Sequence, residues 1–282
     1  MMSIKPNHRG VVLISILWVL TGLSMIVASS LTAVRTDMQL TQTHLRLTQA
    51  RSIAEAGIYW AIYSLLKPRR TARPGLPEVS IELAWGNARV TLNIENESGK
   101  IDVNTANRRL IENALIQAGL GNSAARALTD EHERAKQTAV VSDRNRTAPL
   151  KKFQSVEDFT SILGAQLEAR KRIISWLTVY NGREGINPLA ARRETLLAVP
   201  GMSERMVDSY LEKRKRWPFR TPDAGFNQKY FTDRLSPVYT ITAHTNIDGI
   251  SSTIDSTVRF SALRDRPFQI LQWRSSAGFD QG

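Results

Sequence analysis

Cysteine is absent from all 282 residues, which excludes disulfide scaffolds and thiolate metal sites. Histidine is scarce: His8, His44, His132 and His244 stand far apart, so none has a partner at zinc-helix spacing. The chain also lacks a Gly-rich phosphate loop, a His-Glu-x-x-His helix and a Gly-x-Ser-x-Gly elbow. With these signatures missing, the sequence reads as that of a non-enzyme without a cofactor. Charge is missing in one place only. From Val11 to Val34 there is no Asp, Glu, Lys or Arg, and proline is absent from Gly10 to Lys67.

That uncharged stretch is long enough to matter. A bilayer core of ~30 Å takes about 20 apolar helical residues, so Val11–Val34 can span it. Lys5 and Arg9 precede it, which predicts a cytoplasmic N-terminus and a bulk on the far side. An ordinary secretory signal has a shorter apolar region of about 7–15 residues before a small-residue cleavage site. Ala28-Ser29-Ser30 is an alternative site of that kind. The net charge is +12, or 12 − 2 = +10 without Lys5 and Arg9, at 42% hydrophobic residues. Such a balance permits binding to nucleic acid or an anionic surface. Arginines scattered over solvated helical faces are the plainer reading, since only Lys67–Arg70 and Lys213–Arg216 form dense basic runs.

Beyond Val34 the helical pattern continues. Leu40, Leu47, Ala50, Ile53, Ala54, Gly57, Trp60, Ala61 and Leu65 recur at helical spacing, and Lys67-Pro68 ends the run. One helix of roughly 80 Å over Val11–Leu66 is predicted, lipid-facing first and sheet-facing second. Val79, Ile81 and Leu83 alternate with polar or small residues, as do Val90, Leu92 and Ile94, with Gly86-Asn87 between. This predicts an antiparallel hairpin that the preceding helix covers. Strand patterns return at Val238–Thr245, Ser252–Phe260 and Phe268–Trp273, the first two joined by Asp248-Gly249.

Between them lies a helical region too long to be a loop. Helices are predicted to open at Asn104 and, in capping-box style, at Ser155 with Asp158 three residues on. A third is predicted over Glu168–Tyr180, closed by Asn181-Gly182. Asp130–Pro149 reads as a polar loop, and its acids Asp130, Glu131, Glu133 and Asp143 lie among Arg134, Lys136 and Arg144, which oppose cation binding. A loose repeat pairs Ile101–Ala106 with Ile186–Ala191, each followed by a helix and a glycine turn at Gly119 or Gly201. The segments are therefore 1–10 (leader), 11–34 (membrane half of the helix), 35–100 (soluble half and first strands), 101–235 (inserted helical domain) and 236–282 (returning strands). The fold class is α+β: a long N-terminal helix on an antiparallel sheet, with a large all-helical domain inserted between strands.

Arg9-Gly10 before an uncharged helix resembles the type III signal of prepilins and pseudopilins. Glu97–Ala106, Ile186-Asn187, Leu197–Gly201 and the final strands through Trp273, taken in order, are similar to the minor pseudopilin K (GspK) family of type II secretion. The resemblance implies a pilin-like fold, cleavage between Gly10 and Val11 by a prepilin peptidase, and methylation of the new N-terminus. It implies a tip subunit of a periplasmic filament anchored in the bacterial inner membrane. Its partners would be minor pseudopilins I and J, the major pseudopilin filament and the inner-membrane secretion platform. The fifth mature position, glutamate in most pilins, is Ser15 here. Some relatives bind calcium in the helical domain, but their Asp-Trp-Arg-Asp stretch is replaced by Thr129–Arg134, so the metal content is left unknown and calcium is disfavoured.

A second reading rests on Pro200, Gly201, Met202 and Ser203, the layout of a helix-hairpin-helix. Backbone N–H groups at the second helix would hold a phosphate of nucleic acid. Arg205 and Lys213–Arg216 would add electrostatic affinity. A plain structural hairpin, with basic residues at a solvated helix C-terminus, explains the same residues. Nucleic acid is thus the less favoured partner.

Overall fold

A computed structural model describes residues 9–67, 79–86, 88–141, 153–161, 167–216, 228–263 and 265–279. Helix α1 runs without a break over Arg9–Leu66, about 87 Å at 1.5 Å per residue. It is followed by β1 (Val79–Trp85) and β2 (Ala88–Asn96), a 3₁₀ turn at Glu97–Gly99 and the short strand β3 (Ile101–Asp102). Then come α2 (Arg108–Gln117), α3 (Asn122–Val141), α4 (Val156–Ser161), α5 (Leu167–Ile173) and β4 (Leu177–Thr178). Helices α6 (Arg193–Leu197) and α7 (Glu204–Arg216) lead to β5 (Val238–Ile247), β6 (Ile250–Phe260) and β7 (Phe268–Phe279).

The main sheet is antiparallel in the order β1-β2-β5-β6-β7. Its second and third strands flank the helical region in sequence, so that region is an insertion between neighbouring strands. Asp248 and Gly249 both take positive φ, as a two-residue hairpin joining twisted strands requires.

The sheet's inner face is covered by the second half of α1. Ala54, Ile58, Ala61 and Ile62 are buried against Val90, Leu92, Ile241, Ala243, Ile254 and Val258, and Ala50 against Ala88 and Ile247. Each large side chain among them contributes about 1.5–3 kcal/mol on burial. Small residues set the helix-to-sheet distance. A Cβ on Gly57 would stand 3.0 Å from both Leu92 Cδ2 and Val90 Cγ1.

The insertion has a separate core of Ile101, Leu110, Ile111, Leu115, Ile173, Ile186, Leu196 and Val207, among others. Three local expectations are corrected here. Helix α2 is capped by Asn107, whose Oδ1 accepts from Arg109 N at 3.0 Å, and not by Asn104. Asn104 instead bridges the Phe153 backbone, Oδ1 accepting from its N–H at 3.0 Å and Nδ2 donating to its carbonyl at 3.1 Å. The helix expected to reach Tyr180 stops at Ile173, because Ile101 N and Val103 N donate to the carbonyls of Trp176 and Thr178 and hold that segment extended. The stretch from Asp130 to Val141, expected as loop, belongs to α3, and within 130–134 the buried side chain is His132; the rest of the expected loop, to Pro149, lies outside the described residues.

Candidate functional site

The first half of α1 is apolar on every side. Trp18 and Met25 are 75% exposed, and Leu17, Val19, Leu23 and Ile26 are exposed as well. Two of its hydroxyls turn inward to the backbone: Thr21 Oγ1 donates to Leu17 O and Ser29 Oγ to Ile26 O, each at 2.8 Å. The backbone groups inside the helix and these two hydroxyls thus find partners within it, as residence in hydrocarbon requires. The segment passes the length and composition criteria for a membrane span, and none of it is buried. Ser15 sits on this exposed helix between Ile14 and Ile16. The Gly10–Val11 bond falls in the first turn of α1; the residues before Arg9, Lys5 among them, lie outside the described residues.

The exposed apolar surface does not end at the membrane segment. Leu31, Met38, Leu45 and Tyr59 are all more than half exposed, and with Ser52 they fall at seven-residue intervals. Such a repeat keeps one stripe facing one neighbour along a helix, as in coiled coils. Tyr63, also exposed, borders the same stripe near the end of α1.

In the insertion, the pairs α2–α3 and α6–α7 are built alike. Each opens on an Asx turn: Asp102 Oδ1 accepts from Asn104 N, and Asn187 Oδ1 accepts from Leu189 N. Each first helix is followed by a glycine of positive φ, Gly119 (106°) after α2 and Gly201 (87°) after α6. Thirteen residues beyond each glycine stands a buried basic side chain, His132 or Arg214. Each of these meets the carbonyl just after its Asx residue: His132 Nε2 contacts Val103 O, and Arg214 Nη1 donates to Pro188 O at 2.7 Å. The opening arginine of each first helix also clasps the second helix, Arg108 on Asp130 and Arg193 on Asp208. The loose sequence repeat therefore corresponds to two units of one design.

The second hairpin contains Pro200, Gly201, Met202 and Ser203. Ser203 Oγ accepts from Met206 N at 3.4 Å, and Met202 N donates to Val199 O at 3.1 Å. Glu204 and Asp208 lie on the first turns of α7, with Arg193 held against both. That bidentate hydrogen bond from Arg193 holds the Asp208 carboxyl below the usual carboxylate range and raises the Arg193 guanidinium. The run Lys213–Arg216 ends the same helix, about three turns from the hairpin. Within it Arg214 is buried and donates to the carbonyls of Pro188, Leu189 and Ala191, while Lys215 pairs with Glu212 at 2.7 Å. The hairpin and the basic run are thus not brought together.

The acidic set disperses. Asp130, Glu131 and Glu133 project at different angles from α3, Asp130 pairs with Arg108, and Asp143 lies outside the described residues. Among the described residues no group of three His, Asp or Glu is placed to hold a metal ion. Arg214 and His132 escaped the sequence reading as structural groups. Aligning Gly119 with Gly201 places one opposite the other, and that alignment was the available signal.

No family model and no curated protein sequence matches the chain. Among solved structures, it is similar to a chain from the crystal structure of the GspK-GspI-GspJ complex of the enterotoxigenic Escherichia coli type 2 secretion system, with a TM-score of 0.49 and 9% identity, over 86% of this chain and 98% of that one.

Proposed function

We propose that this chain is a minor pseudopilin of the K type, a structural tip subunit of a type II secretion pseudopilus and not an enzyme. The observation that carries the reading is α1. It is a single helix whose first half is apolar and uncovered, whose second half is fixed to a sheet, and whose exposed heptad stripe passes from one half to the other. A helix of that kind rests in the bilayer until it transfers into a bundle of like helices. The sequence resemblance at Arg9-Gly10, Glu97–Ala106 and Leu197–Gly201 supports the same assignment.

On this reading the chain is an inner-membrane protein, crossing once with its N-terminus in the cytoplasm and its sheet and insertion in the periplasm. Minor pseudopilins I and J supply the helices that meet the stripe, and the secretion platform and major pseudopilin lie below. Ser15 fits the topmost place. A carboxylate in hydrocarbon costs several kcal/mol unless a cation neutralises it, and a subunit with nothing above it lacks that cation. The insertion, sited at one end of the sheet, would obstruct another subunit from stacking there.

The test is the mature N-terminus. Co-expression with a prepilin peptidase should remove residues 1–10 and leave a methylated Val11, read by mass spectrometry of the N-terminal peptide. The processed chain should co-purify with minor pseudopilins I and J. An intact Met1 in cells whose peptidase cleaves another pseudopilin overturns the proposal.

A further inference from the structure

The insertion and the sheet meet through polar groups. Among the described residues their two apolar clusters share no member, so no common hydrophobic core of those residues fixes one against the other. The chain leaves the sheet at Asn96 and returns at Ser236, and one side chain ties these crossings together. Asn96 Nδ2 donates to Ser236 O at 2.9 Å, while its Oδ1 accepts from Ser98 N at 3.0 Å and Ser236 N at 3.3 Å. The two crossings are adjacent because β2 and β5 are paired, Asn96 opposite Tyr239. Two adjacent strands make a hinge by themselves, free to bend about the line that joins them.

Ionic contacts oppose that bending, and they converge on one residue of the sheet. Glu95, on β2, pairs through Oε1 with Arg192 Nη2 and through Oε2 with Lys100 Nζ at 3.3 Å. Lys100 also holds Glu97 at 2.7 Å, and Glu97 accepts from Thr240 Oγ1 of β5 at 2.8 Å. A separate pair joins Arg274 of β7 to Glu157 of α4 at 2.8 Å. Glu95 and Lys100 expose only 13% and 16% of their side chains and Glu97 3%, so these three groups are shielded from solvent, while Arg192 keeps 38% of its side chain exposed. Removing one partner from a shielded pair leaves a buried charge uncompensated, which is what makes such contacts decisive for geometry.

We propose that Glu95 is a latch that sets the orientation of the insertion on the sheet. The insertion is a separately packed body that swings about the Asn96–Ser236 crossing when the latch is opened. Arg192 and Lys100 are its two catches, and the Arg274–Glu157 pair steadies the far side. The inference stands on the joint itself and does not depend on the chain being a pseudopilin.

The absence of cysteine allows a direct test on the full chain in lipid nanodiscs. Ser80 on β1 and Ser209 on α7 are exposed. Ser80→Cys and Ser209→Cys introduced together take spin labels, and pulsed electron resonance reads the distance between the two bodies. A narrow distribution is expected with the native latch, and a broad or displaced one with Glu95→Gln or Arg192→Met. Arg192→Lys, which keeps the charge, should restore the narrow distribution. Amide exchange should show both cores, at Ile58 and Leu115 for example, as protected as in the parent. Distributions as narrow as the parent's in both Glu95→Gln and Arg192→Met overturn the latch. Broadening accompanied by loss of protection in either core also overturns it, since the network would then maintain the fold and not the orientation.

Discussion

Gly57 decides how closely α1 lies on the sheet, because the two valine and leucine contacts that a Cβ would make are already at the limit of close packing. Gly57→Leu adds a whole side chain to that contact, and overpacking of this kind costs about 1–3 kcal/mol. A lowered urea midpoint of the detergent-solubilised chain, with an unchanged slope, is the expected result. Arg214 is decisive in another way. Its guanidinium serves three carbonyls in the Pro188–Ala191 turn, and Arg214→Met would leave them buried without donors, at about 1–3 kcal/mol for each group stranded. Burial depresses the Arg214 guanidinium, and burial pushes its neighbour Tyr210 up to about 12. In the unfolded chain a tyrosine ionises near its ordinary value of about 10. Between those two values the unfolded state has lost a proton that the folded state keeps, so stability falls as pH rises through that window. Tyr210→Phe should flatten the alkaline limb of a stability-versus-pH curve.

Elements whose cause is local were readable from one dimension. The period of α1, the alternation of β1 and β2 and the Asp248-Gly249 turn each depend on neighbours within a few residues. The Ser155 box is of the same kind: Ser155 Oγ accepts from Asp158 N at 3.1 Å, and Asp158 accepts from Ser155 N at 2.9 Å, which lowers its carboxyl. Elements whose cause is distant were misread. Asn104 resembles a helix cap until Phe153 claims it, and Trp176–Val179 resembles helix until β3 draws it out. The polar second half of α3 looked unpatterned because a group it turns inward is His132, met by the Val103 carbonyl that only the fold supplies. The paired design of the insertion makes its own prediction. Gly119→Val and Gly201→Val both force a branched side chain into left-handed backbone, at about 1–2 kcal/mol each. Comparable losses from the two, seen in chemical denaturation of single variants, are expected of equivalent turns. The hairpin's acids carry a further consequence. With Glu204 and Asp208 at the start of α7, no retention of duplex DNA is expected even at low salt, and a retarded band that fades with salt would favour the nucleic-acid reading instead.

At the scale of the whole molecule, the insertion is attached so that it can be removed. Its entry and exit lie on paired antiparallel strands, and antiparallel neighbours need only a two-residue turn to connect them. Replacing residues 97–238 by Asn-Gly would close a two-residue turn between Asn96 and its partner Tyr239 and leave α1 on an unbroken five-stranded sheet. The apolar cluster of Ile58, Leu92, Ile241 and Ile254 loses none of its members in that change. The excised chain should therefore retain a cooperative thermal transition and protected amides in α1 and β5, measured by circular dichroism and hydrogen exchange. It also isolates what the insertion does for assembly. If the insertion obstructs stacking at a filament tip, cells making only the excised form should carry longer pseudopili than cells making the full chain. Equal lengths, with the excised chain folded and incorporated, would leave Ser15 and the stripe of α1 to account for the tip position we propose.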